Sequence, residues 1–160
     1  MTNIIWKKGF FSSNYELFQN NINIGKFRRS SFSDISKGKI NDAKLEFKKK
    51  GLFSSNTDIM DLSSNKNIGK IQFNTWGNKA NITLNNEKYT WKYDNFWGSK
   101  WSISNSEKKL IIYKSATTSG NIKSISNNDL LLLSGFYVFD YLRKLIAVTS
   151  IATSITLLSS

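Results

Sequence analysis

The amino-acid sequence predicts a mainly-β domain: a meander of some ten short antiparallel strands, closed into a barrel and followed by one apolar helix. Three observations predict it. Apolar and polar residues alternate in strand-length runs, one stretch of the chain is written twice, and the run from Leu130 to Phe139 is almost entirely apolar. At 160 residues the chain is the size of one ordinary domain, long enough to bury a core.

The strands are read from period-two alternation, which places one face of each in a core. It is clear at Leu45 and Phe47, Ile71 and Phe73, Ala80, Ile82 and Leu84, Tyr89, Trp91 and Tyr93, and Trp101 and Ile103. Turn residues separate the runs, as at Ser63-Ser64-Asn65-Lys66-Asn67, Asn85-Asn86 and Asp94-Asn95. No convincing amphipathic helix precedes residue 128. The chain has no proline, so every backbone N–H is free to join a ladder. Closure of such a meander removes its exposed edges.

The duplication is explicit. Lys7-Lys8-Gly9-Phe10-Phe11-Ser12-Ser13-Asn14 recurs as Lys49-Lys50-Gly51-Leu52-Phe53-Ser54-Ser55-Asn56, and Asn23-Ile24-Gly25-Lys26 recurs as Asn67-Ile68-Gly69-Lys70. Two matches in the same order mark an internal repeat. A shorter echo, Trp76-Gly77-Asn78-Lys79 against Trp97-Gly98-Ser99-Lys100, could mark further hairpins or chance. Gly25-Lys26 and Gly69-Lys70 lack the full glycine pattern of a phosphate-cradling loop and are read as strand bends.

Asn127, Asn128 and Asp129 supply N-cap chemistry before Leu130, so a helix is expected over about 129–146, buried on all sides as far as Phe139. Asp140, Arg143 and Lys144 share one helix face and can pair there, which suits a helix end emerging from a core into water. Residues 147–160 are read as an apolar, Ser/Thr-rich tail. A membrane span is the competing reading. It would place those three charges near its middle, at roughly 2.5–3.5 kcal/mol each. The charge-free piece Leu145–Leu158 would extend only about 21 Å as helix against a hydrocarbon core of about 30 Å. The sequence therefore argues for burial over a tail anchor, and the expected domain is residues 1–146.

Composition excludes much chemistry. There is no cysteine and no histidine, which removes disulfides, thiolate nucleophiles, the commonest transition-metal ligands and the usual general base near neutral pH. No enzyme activity, cofactor or metal is expected. The net charge of +12 lies wholly in residues 1–128, because residues 129–160 hold Asp129 and Asp140 against Arg143 and Lys144. Such a charge suits an anionic partner. An excess of lysine, asparagine and isoleucine is equally the signature of A/T-rich coding. Residues 1–11 lack the apolar run and cleavage site of a secretory signal, which leaves a cytoplasmic location, with membrane association open.

A twice-written β region followed by one apolar helix resembles the tubby C-terminal-domain-like superfamily, which includes tubby proteins, phospholipid scramblases and LURP-one-related proteins. The resemblance covers roughly residues 4–146 and rests on element order, the duplication and the helix. It implies a closed antiparallel barrel of about ten to twelve strands, built from two similar halves and wrapping the helix. The functional motifs of those relatives are absent here: no lipidated cysteine cluster, acidic calcium loop or phosphoinositide motif is recognisable.

The candidate site residues are basic and aromatic. Lys44, Lys48, Lys49 and Lys50, with Lys37 and Lys39 upstream and Arg28 and Arg29 in the other copy, could form an outward strip for anionic lipid, since Leu45 and Phe47 take the inward positions between them. A solvated strand face is the plainer alternative. Trp76, Trp91, Phe96, Trp97 and Trp101 form an aromatic cluster that could serve as an interfacial membrane belt or a stacking platform for single-stranded nucleic acid. Phe96 and Trp97 look like a loop tip that could meet a membrane interface or fold back as a lid, while Trp91 and Trp101 are expected in the core. Asp58 and Asp61 are expected on opposite faces of one strand, too poorly matched for shared catalysis. The expected function is a non-enzymatic barrel that binds anionic membrane lipid through its lysine-rich face. A nucleic-acid-binding module and a membrane-anchored, scramblase-like protein are the alternatives.

Overall fold

The computed structural model describes residues 1–30, 33–51 and 55–158, with residues 148–158 as helix backbone only. Twelve strands precede one helix: β1 (Thr2–Lys8), β2 (Asn14–Gln19), β3 (Ile22–Arg29), β4 (Ile35–Ile40), β5 (Ala43–Lys49), β6 (Asn56–Asp61), β7 (Lys66–Phe73), β8 (Lys79–Leu84), β9 (Glu87–Tyr93), β10 (Lys100–Ser104), β11 (Lys109–Ser115), β12 (Ser119–Ser124) and α1 (Asp129–Leu158). Each strand pairs antiparallel with its sequence neighbours, and β1 pairs with β12, so the sheet is a closed barrel with no free edge. This is the fold class expected from the sequence, with strands at the upper end of the expected number.

Asparagine makes the tight turns. Asn20 and Asn21 link β2 to β3 with φ of 50° and 63°, and Asn85 and Asn86 link β8 to β9 with φ of 49° and 67°. Two consecutive left-handed residues are what a two-residue hairpin of the I′ kind requires, and asparagine tolerates that region better than most side chains. Part of the asparagine excess therefore has a structural reason.

The repeated sentences lie four strands apart. The Asn-Ile-Gly-Lys segments fall in β3 and β7, and the longer repeat spans the β1–β2 and β5–β6 connections, of which Leu52, Phe53 and Ser54 lie outside the described residues. The written repeat thus runs from β1 into β3 and again from β5 into β7, a period of four strands. The sheet geometry continues that period: register shifts occur at Leu17/Phe18, Ile59/Met60 and Ile103/Ser104, in β2, β6 and β10. The glycines follow from these bulges. Gly25 N–H donates to Asn23 Oδ1 at 3.1 Å and Gly69 N–H to Asn67 Oδ1 at 3.0 Å, and a Cβ on either would stand 2.1 Å from a facing carbonyl oxygen, that of Lys39 or Thr83. Gly69→Ala should cost about 1–3 kcal/mol, the usual range for forcing backbone apart in a packed structure, read as a lower urea midpoint at unchanged slope.

A twelve-stranded barrel is too wide for its own inward side chains to fill, so a central element is needed. That element is α1. Asn128 caps it, its Oδ1 accepting the Leu131 N–H at 2.9 Å, and Asn41 Nδ2 donates to Asp129 Oδ2 at 2.8 Å, tying the helix start to the β4–β5 turn. From Leu131 to Asp140 every residue is buried. The wall grips the helix by polar bonds and by rings: Trp91 Nε1 donates to the Gly135 carbonyl at 3.1 Å and the Tyr113 hydroxyl to the Leu132 carbonyl at 3.0 Å. Phe136 sits among Trp6, Tyr15 and Phe27, and Trp101 stacks on Phe139 at 3.8 Å. Trp91 and Trp101 are fully buried, as expected.

The helix does not stop near residue 146. It continues unbroken to Leu158, so the expected tail is an extension of α1, with Ser159 and Ser160 outside the described residues. No proline or glycine follows Gly135, and the β-branched residues there carry only a mild helix penalty.

Candidate functional site at the helix exit

In an up-and-down barrel, alternate connections share an end. The β2–β3, β4–β5, β6–β7, β8–β9 and β10–β11 turns surround the start of α1, and the β1–β2, β3–β4, β5–β6, β7–β8, β9–β10 and β11–β12 connections surround its exit. Every strongly exposed aromatic residue among those described lies at the exit end: Phe10 (68 %), Phe11 (96 %), Trp76 (86 %), Phe96 (95 %) and Trp97 (84 %).

Two of these tips are built alike. In Asn74–Lys79 and Asn95–Lys100 the leading asparagine folds its side chain over the loop: Asn74 Oδ1 accepts the Lys79 N–H at 3.1 Å, and Asn95 Oδ1 accepts the Lys100 N–H at 3.0 Å. The asparagine carbonyl takes the glycine N–H three residues on, at 3.2 Å for Gly77 and 3.3 Å for Gly98. Both glycines are left-handed, with φ of 64° and 65°, a region costly for other side chains. The side-chain amide closes the loop on Asn78 Oδ1 at 2.7 Å in one and on Ser99 Oγ at 2.8 Å in the other. The tryptophan before each glycine is then held outward. The short Trp-Gly echo is thus a repeated loop, and Phe96 and Trp97 occupy an exposed tip. Trp76, a member of the aromatic cluster expected from the sequence, joins them at this end, whereas Phe10 and Phe11 are not among the sequence candidates, although the repeated sentence that holds them is the available signal.

Beside Trp97, α1 leaves the barrel. Tyr93, Phe96, Trp97, Phe139, Arg143 and Ile146 border an open groove of about 590 Å³. Leu145 and Ile146 are 44 % and 56 % exposed, so apolar surface appears on the helix just where the barrel ends. Among the described residues, no helix is long and apolar enough to cross a membrane.

The exit end is also basic. Arg143 lies over the Phe139 ring at 5.3 Å and Lys49 over Tyr141 at 5.4 Å, both rings of α1, and Lys8 lies over Tyr15 of the wall at 5.5 Å. Desolvation, then the Arg143 charge, holds Lys8 below its ordinary pKa, against the opposing pull of Asp140. Asp140 is a buried acid: its Oδ1 accepts the Tyr15 hydroxyl at 2.8 Å, and Arg29 bridges its Oδ2 at 2.9 Å. Burial raises its pKa, and Arg29 and the Tyr15 bond pull it back down. Asp140 thus pairs across to the wall at Arg29, where a pairing with Arg143 and Lys144 along its own helix was open.

The expected basic strip is distributed along the wall. Lys44 and Lys48 face outward on β5 with Leu45 and Phe47 inward, as the alternation predicts. Lys48, Lys49, Lys50, Arg28 and Arg29 lie toward the exit end, and Lys44 lies beside the β4–β5 turn at the other. Arg28 is exposed, whereas Arg29 is partly buried against Asp140. Acids interleave with the strip: Lys37 bridges Glu46 at 3.2 Å and Lys50 bridges Asp58 at 3.1 Å. Lys39 faces Lys44 across the β4–β5 ladder. Asp61 is occupied locally, accepting the Ser63 N–H at 2.9 Å and the Ser64 hydroxyl at 2.7 Å. No group of three potential metal-binding side chains occurs among the described residues. No family model, curated protein or solved structure matches this chain.

Proposed function

We propose that this barrel is a non-enzymatic, lipid-binding module of the cytoplasmic membrane surface, which presents its helix-exit end to an anionic bilayer. The observation that carries the reading is the gathering, among the described residues, of all five strongly exposed aromatic residues on loop tips at that one end. Folding does not require exposed rings there, and the repeated loop that raises Trp76 and Trp97 spends two asparagine caps and two left-handed glycines on doing so. Aromatic rings favour the headgroup level of a bilayer, and lysines near an anionic surface add about 1 kcal/mol each. The tubby-like kinship remains part of the proposal, supported by element order and by closure around an apolar helix.

Vesicle sedimentation tests it. The protein should bind phosphatidylserine-containing vesicles, bind phosphatidylcholine vesicles far less, and be weakened by salt. Trp76→Ala, Phe96→Ala and Trp97→Ala together should cost at least about tenfold in affinity, because partial burial of each ring contributes on the order of 1 kcal/mol. Lys48→Glu, Lys49→Glu and Lys50→Glu together should cost more than the same reversal at Lys66, Lys88 and Lys108, which lie toward the opposite end. Equal losses from both charge sets, or release of the vesicles by single-stranded oligonucleotide at lower concentration than by soluble phosphatidylserine, would sink the lipid reading in favour of general polyanion or nucleic-acid binding.

A further inference from the structure

We infer that α1 continues past the interface: its charge-free turns beyond Lys144 enter the leaflet that faces the barrel, seated within the collar of aromatic tips. This rests on the lipid-binding reading and specifies how that end engages the bilayer.

Three observations lead to it. First, charge ends where apolar surface begins to show on the helix. Arg143 is half-buried, Lys144 is exposed, and no charged residue occurs from 145 to 160, yet the helix runs on to Leu158. A helix leaving a core for water ordinarily turns polar on its open faces. Here Leu145 and Ile146 are 44 % and 56 % exposed in the first turn beyond Lys144.

Second, the charge-free stretch is long enough to enter a leaflet. The fourteen residues from Leu145 to Leu158 rise about 21 Å at 1.5 Å each. Half the hydrocarbon core is about 15 Å. With Arg143 and Lys144 held at the phosphates, a helix of that length passes the headgroups and reaches into the hydrocarbon. The hydroxyl residues in that stretch do not bar entry, because a helical Ser or Thr can satisfy itself on the carbonyl four residues back, as Ser134 Oγ does on the Leu130 carbonyl at 2.8 Å.

Third, the collar favours lipid over another copy of the chain. Trp76, Phe96 and Trp97 stand around the exit, and Lys8, Lys49, Arg143 and Lys144 lie at its rim. Two copies joined end to end would set those cations against each other, whereas anionic headgroups complement them.

The absence of cysteine makes the test direct. Ile155→Cys, Ile146→Cys and Asn85→Cys would each carry an environment-sensitive fluorophore on the full chain, with phosphatidylserine-containing vesicles as the probe. On binding, the label at 155 should brighten several-fold and be quenched by a mid-chain nitroxide lipid. The label at 146 should be quenched by a shallow nitroxide, and the label at 85 should stay accessible to aqueous iodide. A vesicle-bound protein whose 155 label still faces the outer solution would overturn the inference while leaving the lipid-binding reading intact. Labelling of the 155 thiol by an impermeant reagent trapped inside the vesicles would overturn it as well, since the helix would then cross. So would an Ile155→Cys pair that crosslinks in solution and stays out of the leaflet. Failure of every variant to sediment with vesicles defeats the lipid-binding reading itself, and this inference with it.

Discussion

Removal of residues 129–160 should abolish cooperative folding. The lost helix contributes Leu131, Leu132, Leu133, Phe136, Tyr137, Val138, Phe139 and Leu142, all buried. At about 1.5–3 kcal/mol for each, their burial amounts to about 12–24 kcal/mol, against a total stability of about 5–15 kcal/mol for an ordinary domain. The loss is not confined to the helix. Trp91 Nε1 and the Tyr113 hydroxyl would lose the carbonyls they bond inside the barrel, and the rings of Trp6 and Trp101 would face an empty lumen. The expected result is a chain without near-ultraviolet ellipticity and without a sigmoidal urea transition. A chain ending at Lys144 is the matched comparison. It keeps every helix residue described as buried, from Leu131 to Leu142, so its melting temperature should stay within a few degrees of the parent's. A cooperative transition in the 1–128 fragment would mean that the strands close without their plug, and the helix would then be cargo of the barrel rather than its core.

The same helix shows how far the sequence can be read. Its buried stretch was legible because nothing but complete enclosure suits ten nearly apolar residues in a row, and the cap at Asn128 was legible because its chemistry is local. Most strands were legible wherever both inward positions are large, as with Trp91 beside Tyr89. They were not where the inward positions are small. β4 turns Ser36, Gly38 and Ile40 inward, and a Cβ on Gly38 would lie 2.7 Å from Leu133 Cδ2. β12 turns Gly120, Ile122 and Ser124 toward the same side, with Trp6 filling the space over Gly120. The core is present in both strands, but the bulk comes from a partner distant in sequence, so the alternation looks weak.

The candidate site was half legible for a related reason. Loop composition marked Phe96 and Trp97 as a tip, and the repeats contained Phe10, Phe11 and Trp76. What joins these residues is the parity of an up-and-down barrel, which sends alternate connections to one end. That relation exists only once the strands are counted correctly, and a reading of some ten strands does not supply it. Arg29 shows the opposite limit. Beside Arg28 it looked like one more surface base, whereas the alternation of β3 turns Arg28 outward and Arg29 to the rim, within 2.9 Å of a carboxylate 111 residues away.

That ion pair carries the second large expected effect. Arg29→Met should destabilise the fold by about 3–5 kcal/mol at neutral pH, the range for stranding one charge of a buried pair, and by the lower part of that range because the Arg29 side chain keeps 27 % of its exposure. The loss should shrink in acid. Burial holds the Asp140 pKa above its ordinary value and Arg29 is the largest influence pulling it down, so the substitution raises it further. A carboxyl whose folded pKa lies above its unfolded value favours the fold most fully below the unfolded pKa, and that contribution is lost as pH rises through the folded pKa. Urea denaturation at about pH 7.5, far above the ordinary carboxylate range, and at about pH 4.5, close to it, should therefore show a deficit that is large in the first and reduced in the second. Asp140→Asn placed on top of Arg29→Met should recover most of the deficit at the higher pH, since the amide oxygen still accepts from Tyr15 and no charge is left stranded. An equal deficit at both pH values, with no recovery from the second substitution, would reduce Arg29 to a packing residue. The pair sits where the continuous buried run of α1 ends. Arg29 and Tyr15 lock Asp140 to the barrel wall, which fixes the rotation and depth at which Arg143, Lys144 and the residues beyond them leave the barrel. A variant weakened at Asp140 should accordingly bind vesicles with a broader spread of label depths at residue 146, even under conditions where it remains folded.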